Sequence, residues 1–219
     1  MRHRVLPVLL GSSLCGGCIP YTVGQTAHPL PPAEMERSLV WYFIPDGIEL
    51  FDTTATFTGI DFEIRRGLND GVSDVGLRIP MLSGLVGTYK RRLNSVSVPG
   101  EGPAVAVLVG AGIVNLGQHV HGEIGFIASA AEQGTVVPYG GLRAMQVLPL
   151  SESAVSDSPT AGGFLGARFG RRDFGVSVEI GVYYDESALE LRSRNVIVVP
   201  SITLHGDELM RLLTSRGRR

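Results

Sequence analysis

His119-Val120-His121-Gly122-Glu123 is the stretch of this chain with metal-ligand chemistry. At strand spacing both imidazoles and the carboxylate point to one side, and neutral histidine with glutamate suits zinc or a similar ion. Three ligands along one strand are nevertheless too collinear for a tetrahedral site unless another strand contributes. The weightier reading of His119, His121 and Glu123 is therefore a polar face close to a loop. Gly110-Ala111-Gly112 supplies half of a dinucleotide fingerprint, but the third glycine and the helix that should follow are missing. The serines of LSESAVSDSPTAGG, residues 150–163, have neither a paired histidine nor an elbow turn. No catalytic residue and no cofactor are assigned, and a metal-dependent hydrolase stands behind two non-catalytic readings.

A second set is informative as a group: Asp61, Glu63, Arg65, Asp74, Arg78, Lys90, Arg92, Arg143, Arg168 and Glu179, joined by His121 and Glu123. All fall on the polar faces of alternating segments, and their signs are mixed. Inside a narrow barrel such side chains would cross-link as hydrogen-bonded ion pairs and fill the interior. A small selective pore or a ligand cavity is the functional alternative for the same residues.

The elements that must carry these charges are strands. In Gly59-Ile60-Asp61-Phe62-Glu63-Ile64-Arg65 the apolar side chains share one face and the charges the other, a split that period two produces and a helix cannot. Val75, Leu77 and Ile79 repeat it after the Asn69-Asp70-Gly71 turn. Leu165, Ala167 and Phe169 repeat it, as do Phe174, Val176, Val178, Ile180 and Val182. From Val105 to Ile113 the valines share a face while the other holds Ala, Leu and Gly. Arg91 falls on the apolar side of its strand and so belongs near a membrane rim. About ten such runs, the first from Leu39 to Pro45, are separated by Gly, Asn, Asp, Pro and Ser clusters. This is the spacing of an all-β sandwich or barrel.

The leader says where the protein goes. Arg2 and Arg4 precede an apolar run from Val5 to Leu14 and then Cys15-Gly16-Gly17-Cys18, the build of an export signal too short to span a bilayer as a mature helix. The stretch resembles the lipobox of bacterial lipoproteins, which implies a signal peptide over residues 1–17 and a lipid on Cys18. Both cysteines lie in this leader, so no disulfide is expected in the body. A formal charge of −2 excludes a chain-wide basic field for nucleic acid. Charged residues make up 18%, below the roughly 25% of ordinary soluble domains, which points to a membrane or a large partner.

Arg65–Ile79, RRGLNDGVSDVGLRI, resembles the hairpins of bacterial outer-membrane β-barrels, and VPYGGLRA (137–144) and FLGARFG (164–170) are similar to later strands of such proteins. The resemblance implies an up-and-down antiparallel barrel of about ten strands over residues 38–204, in or on the outer membrane. Residues 18–37, rich in proline and without apolar period, read as an extended tether. Residues 205–219 read as a short C-terminal helical tail. Short turns are expected at 69–73, 97–102, 131–134 and 171–173. Longer connections are expected at 46–54, 115–118, 150–163 and 185–193, with 81–84 as the short exception. In outer-membrane meanders the short turns face the periplasm. An even strand number then leaves both barrel termini there, with the Cys18 lipid in the nearer leaflet. The expected partners are outer-membrane lipid and, at the long loops, an unidentified ligand or envelope protein. The alternative is a lipid-tethered periplasmic β-sandwich or lipocalin-like barrel that buries the same apolar faces.

Overall fold

A computed structural model describes residues 20–50, 53–95, 100–150, 159–171, 174–184 and 195–206. The expected signal peptide, Cys18 and the helical tail beyond residue 206 lie outside them. The described chain is all-β apart from one 3-10 turn at Asn115–Gly117. Its strands are β1 (Met35–Leu50), β2 (Thr53–Gly67), β3 (Ser73–Pro80), β4 (Leu85–Arg92), β5 (Ala104–Val114), β6 (His119–Ser129), β7 (Val136–Pro149), β8 (Thr160–Gly170), β9 (Gly175–Tyr184) and β10 (Val196–His205).

Each strand pairs antiparallel with its sequence neighbours, and β1 pairs with β10 through Ser38 opposite His205 and Tyr42 opposite Ser201, closing the barrel. There is one closed sheet, so the two-sheet sandwich is not the fold. The Asn69-Asp70-Gly71 turn forms as its residue types require. Gly71 takes φ +66°, and the Asp70 carboxylate accepts the Val72 and Ser73 amides at 3.0 and 2.9 Å.

Period-two patterning sorts the faces. Ile60, Leu77, Val109, Ile124, Leu142, Leu165, Ile180, Val198 and Ile202 are exposed on the outside of the barrel. Asp61, Glu63, Arg78, Lys90, Glu123, Arg143 and Glu179 are buried within it. A lipocalin-like soluble barrel would require the reverse, an apolar interior and a polar exterior. Tyr42 and Tyr139 are buried inside, whereas Trp41 is outside with its ring centroid 5.2 Å from that of Phe43.

Two expectations about connections need correction. β1 and β2 run past the expected long loop at 46–54 and stay paired to Leu50 opposite Thr53, with a register shift between Ile44 and Ile48. The β5–β6 connection has the expected bounds, residues 115–118, and holds the 3-10 turn. Only the β7–β8 and β9–β10 connections are long at that mouth, here called the loop mouth. At the opposite turn mouth the segment between β4 and β5 spans 93–103, longer than the turn expected there.

The larger correction concerns residues 20–30. Read as a tether, they are instead buried throughout, inside the barrel. Tyr21 lies in an apolar collar at the loop mouth with Ile44, Val86, Val114, Val147, Tyr183 and Ile197, its ring centroid 5.9 Å from that of Tyr183. Val23 and Ala27 pack farther down against Ala104, Ala106, Leu108, Ile127 and Phe164. Leu30 reaches Asp74 near the turn mouth, where Pro32 bridges to Gly67 and the chain turns into β1. The approach to β1 therefore does not hang beneath the barrel: at Tyr21 the chain stands at the mouth opposite the one where β1 begins.

Candidate functional site: a charged lumen around an extended segment

An extended chain inside a barrel pairs with no strand, so each of its amides and carbonyls needs a partner from the wall. Buried charges, with Ser129, supply partners for many of them. Glu179 on β9 accepts the amides of Val23 and Gly24 at 2.9 and 2.8 Å. Arg78 on β3 donates to the Thr22 and Val23 carbonyls at 2.7 and 3.3 Å, and Arg143 on β7 donates to the Thr22 carbonyl at 3.2 Å. Lys90 on β4 donates to the Thr26 and His28 carbonyls at 2.9 and 3.1 Å. The Ala27 amide donates to Ser129 Oγ and the Leu30 amide to Asp74 Oδ2, both at 3.1 Å. Cations thus read carbonyls and carboxylates read amides. Pro29 has no amide to satisfy, which suits a segment held this way.

Side chains of the segment add fewer bonds. Gln25 Nε2 donates to Glu63 Oε1 and Thr26 Oγ1 to Glu132 Oε1, each at 2.8 Å, and His28 Nε2 lies 2.9 Å from the Ala130 carbonyl. One position is set by backbone conformation. Gly24 has φ +63°, and a Cβ there would meet Thr203 Oγ1 at 2.5 Å. Left-handed backbone and close approach both demand glycine.

The charges also pair with one another, as expected. Arg78 meets Glu63 at 3.2 Å, and Lys90 meets Asp74 at 3.4 Å. Arg65 binds Asp74 through its guanidinium, and Arg143 binds Glu123 in the same way. Arg168 reaches Glu36 at 2.6 Å. Two of the expected lumen charges stand apart: Arg92 is only half-buried, and neither carboxylate oxygen of Asp61 has a hydrogen-bond partner. The Met81 amide beside Asp61 donates to the Ile60 carbonyl instead.

The side chains of the metal reading are each engaged with a neighbour. His119 Nδ1 lies 3.1 Å from Asn115 Nδ2, His121 Nε2 lies 3.5 Å from Glu123 Oε2, and Arg143 occupies that carboxylate. Among the described residues no three His, Cys, Asp or Glu side chains gather to hold an ion.

Three features of the lumen were missed. Glu36 is a hub, contacting Arg65 at 3.3 Å, Arg168 at 2.6 Å and His205 at 3.5 Å. It fell inside the expected tether, although Met35, Leu39 and Trp41 alternating with Glu36, Ser38 and Val40 carries the strand signal. His205, placed in the expected tail, ends β10 and bonds Ser177 Oγ at 2.8 Å. The segment 20–30 itself has no period to read, because the partners named above come from six different strands and the β6–β7 connection rather than from a neighbouring ladder.

No family model matches this chain, and no curated protein matches it. Among solved structures, that of Neisserial surface protein A (NspA) aligns at 12% identity over 78% of this chain and 95% of that one, with a TM-score of 0.35.

Proposed function

We propose that this protein is an outer-membrane β-barrel whose outward apolar face contacts lipid, whose interior is closed by its own N-terminal segment, and which acts as a structural or binding element rather than an enzyme. The observation that carries this reading is the inverted partition of side chains. Apolar residues on every strand are exposed around a closed sheet, and the charges are enclosed. In water an exposed apolar surface running around the whole barrel is a strong liability, and in hydrocarbon it is the required lining. Closure also leaves no unpaired strand edge, the condition for sheet to enter a bilayer. The β7–β8 and β9–β10 connections are the places for an unidentified ligand or envelope protein. Acylation of Cys18 belongs to the same reading, and is checked by labelling with a palmitate analogue that a Cys18→Ala variant should fail to take up.

Solubility without detergent tests the reading. The full chain is expected to give β-type circular dichroism and a heat-modifiable band on gels only when refolded into micelles or vesicles. A monodisperse, folded monomer in plain buffer would refute it and restore a tethered soluble barrel.

A further inference from the structure

We propose that residues 20–30 are a separable plug, and that the lumen they occupy is a water-filled pore closed only by it. The inference rests on the barrel reading above and goes beyond it. Three observations on the wall and the segment lead there.

The ladder is complete without the segment: β1 through β10 form a closed ring in which residues 20–30 pair with no strand, and the isolated bridge at Pro32 lies past the segment's end. Withdrawing it breaks no wall hydrogen bond. The segment's hydrogen bonds to the wall run chiefly from its main chain to ionic side chains, bonds that water can replace, while Tyr21, Val23 and Ala27 add apolar packing. Finally, a lumen that loses the segment cannot remain dry. Glu179, Lys90 and Arg78 would each lose main-chain partners, Arg78 and Lys90 keeping Glu63 and Asp74, and buried ions whose hydrogen bonds are only partly met are costly to leave unhydrated. Water must then follow them through the barrel. The Tyr21 ring is one of the side chains packed in the collar at the loop mouth, and it would leave with the segment.

The test is conductance of the full chain in planar bilayers, with vesicle flotation and heat-modifiability as controls. Two full-length variants are compared with the unaltered protein: Gly24→Val, whose side chain cannot seat against Thr203, and a replacement of residues 21–28 by an equal length of alternating Gly and Ser. The unaltered protein should insert and stay closed, while both variants insert and conduct roughly tenfold more or higher, as expected when an aqueous path replaces a filled lumen. A synthetic peptide of residues 20–30 should then block the Gly-Ser variant, and the same peptide carrying Gly24→Val should not. Inserted, folded variants that remain closed would overturn the pore. Variants that cannot fold at all would overturn it too, because the segment would then be core rather than plug. Failure of the unaltered protein to insert would instead sink the membrane reading.

Discussion

Glu179 accepts the main-chain amides of Val23 and Gly24 in the buried segment, one on each carboxylate oxygen. Glu179→Leu leaves both donors unpaired and should cost about 2 to 5 kcal/mol, whereas Glu179→Gln keeps one of the two acceptors and should cost about half as much. Urea titration of the vesicle-embedded protein reads both. Arg143 and Glu123 make a sharper case, because their pair is fully buried. Arg143→Met alone strands the carboxylate and should cost about 3 to 5 kcal/mol, while adding Glu123→Leu should return most of that loss. A double-mutant cycle measures the recovery, and simple additivity of the two losses would show that they do not act as a pair. At this scale the sequence placed most of the charges on the correct face, since alternation decides direction. It left out Glu36, whose own strand begins before the apolar run that drew attention to β1.

Among the elements, β9 and β4 contrast the middle of the outward apolar face with its edge. Ile180 is exposed on the middle of β9, opposite Leu165 of β8 and Pro200 of β10. Ile180→Arg should cost about 2 to 4 kcal/mol, as a cation does at the bilayer midplane. Arg91 is exposed one residue from the end of β4, so Arg91→Leu should change stability by less than about 1 kcal/mol. Equal costs at the two positions would mean the outward face is not graded by depth. Strand identity was legible wherever one face was charged and the other apolar, as in β2, β3 and β9. It blurred where both faces are apolar. Val196–Val199 sends Ile197 and Val199 into the collar and Val196 and Val198 outward, so alternation exists in space without any contrast in residue type. The 46–54 loop was misjudged because Pro45, Asp46 and Gly47 read as a stop, whereas the strands absorb them as a bulge and continue.

The whole molecule is a barrel whose polar inside is occupied by its own chain, and that fact could not be read from residues 20–30. Proline-rich sequence without period describes a free tether and an enclosed extended strand equally well, and what distinguishes them is the ring of charges contributed by residues far along the chain. The strands were legible because alternation and turn chemistry agree, whereas their closure into one barrel rather than two packed sheets rested on the resemblance until β1 was seen to pair with β10. Trp41, the single tryptophan, lies on the outside of β1 between Ile60 and Ile202 and so reports the environment of that face. With the refolded protein in vesicles of lipid brominated along the acyl chains, Trp41 emission should be strongly quenched and should ignore iodide in the water. Emission that iodide quenches and bromolipid leaves unchanged would contradict a lipid-facing barrel.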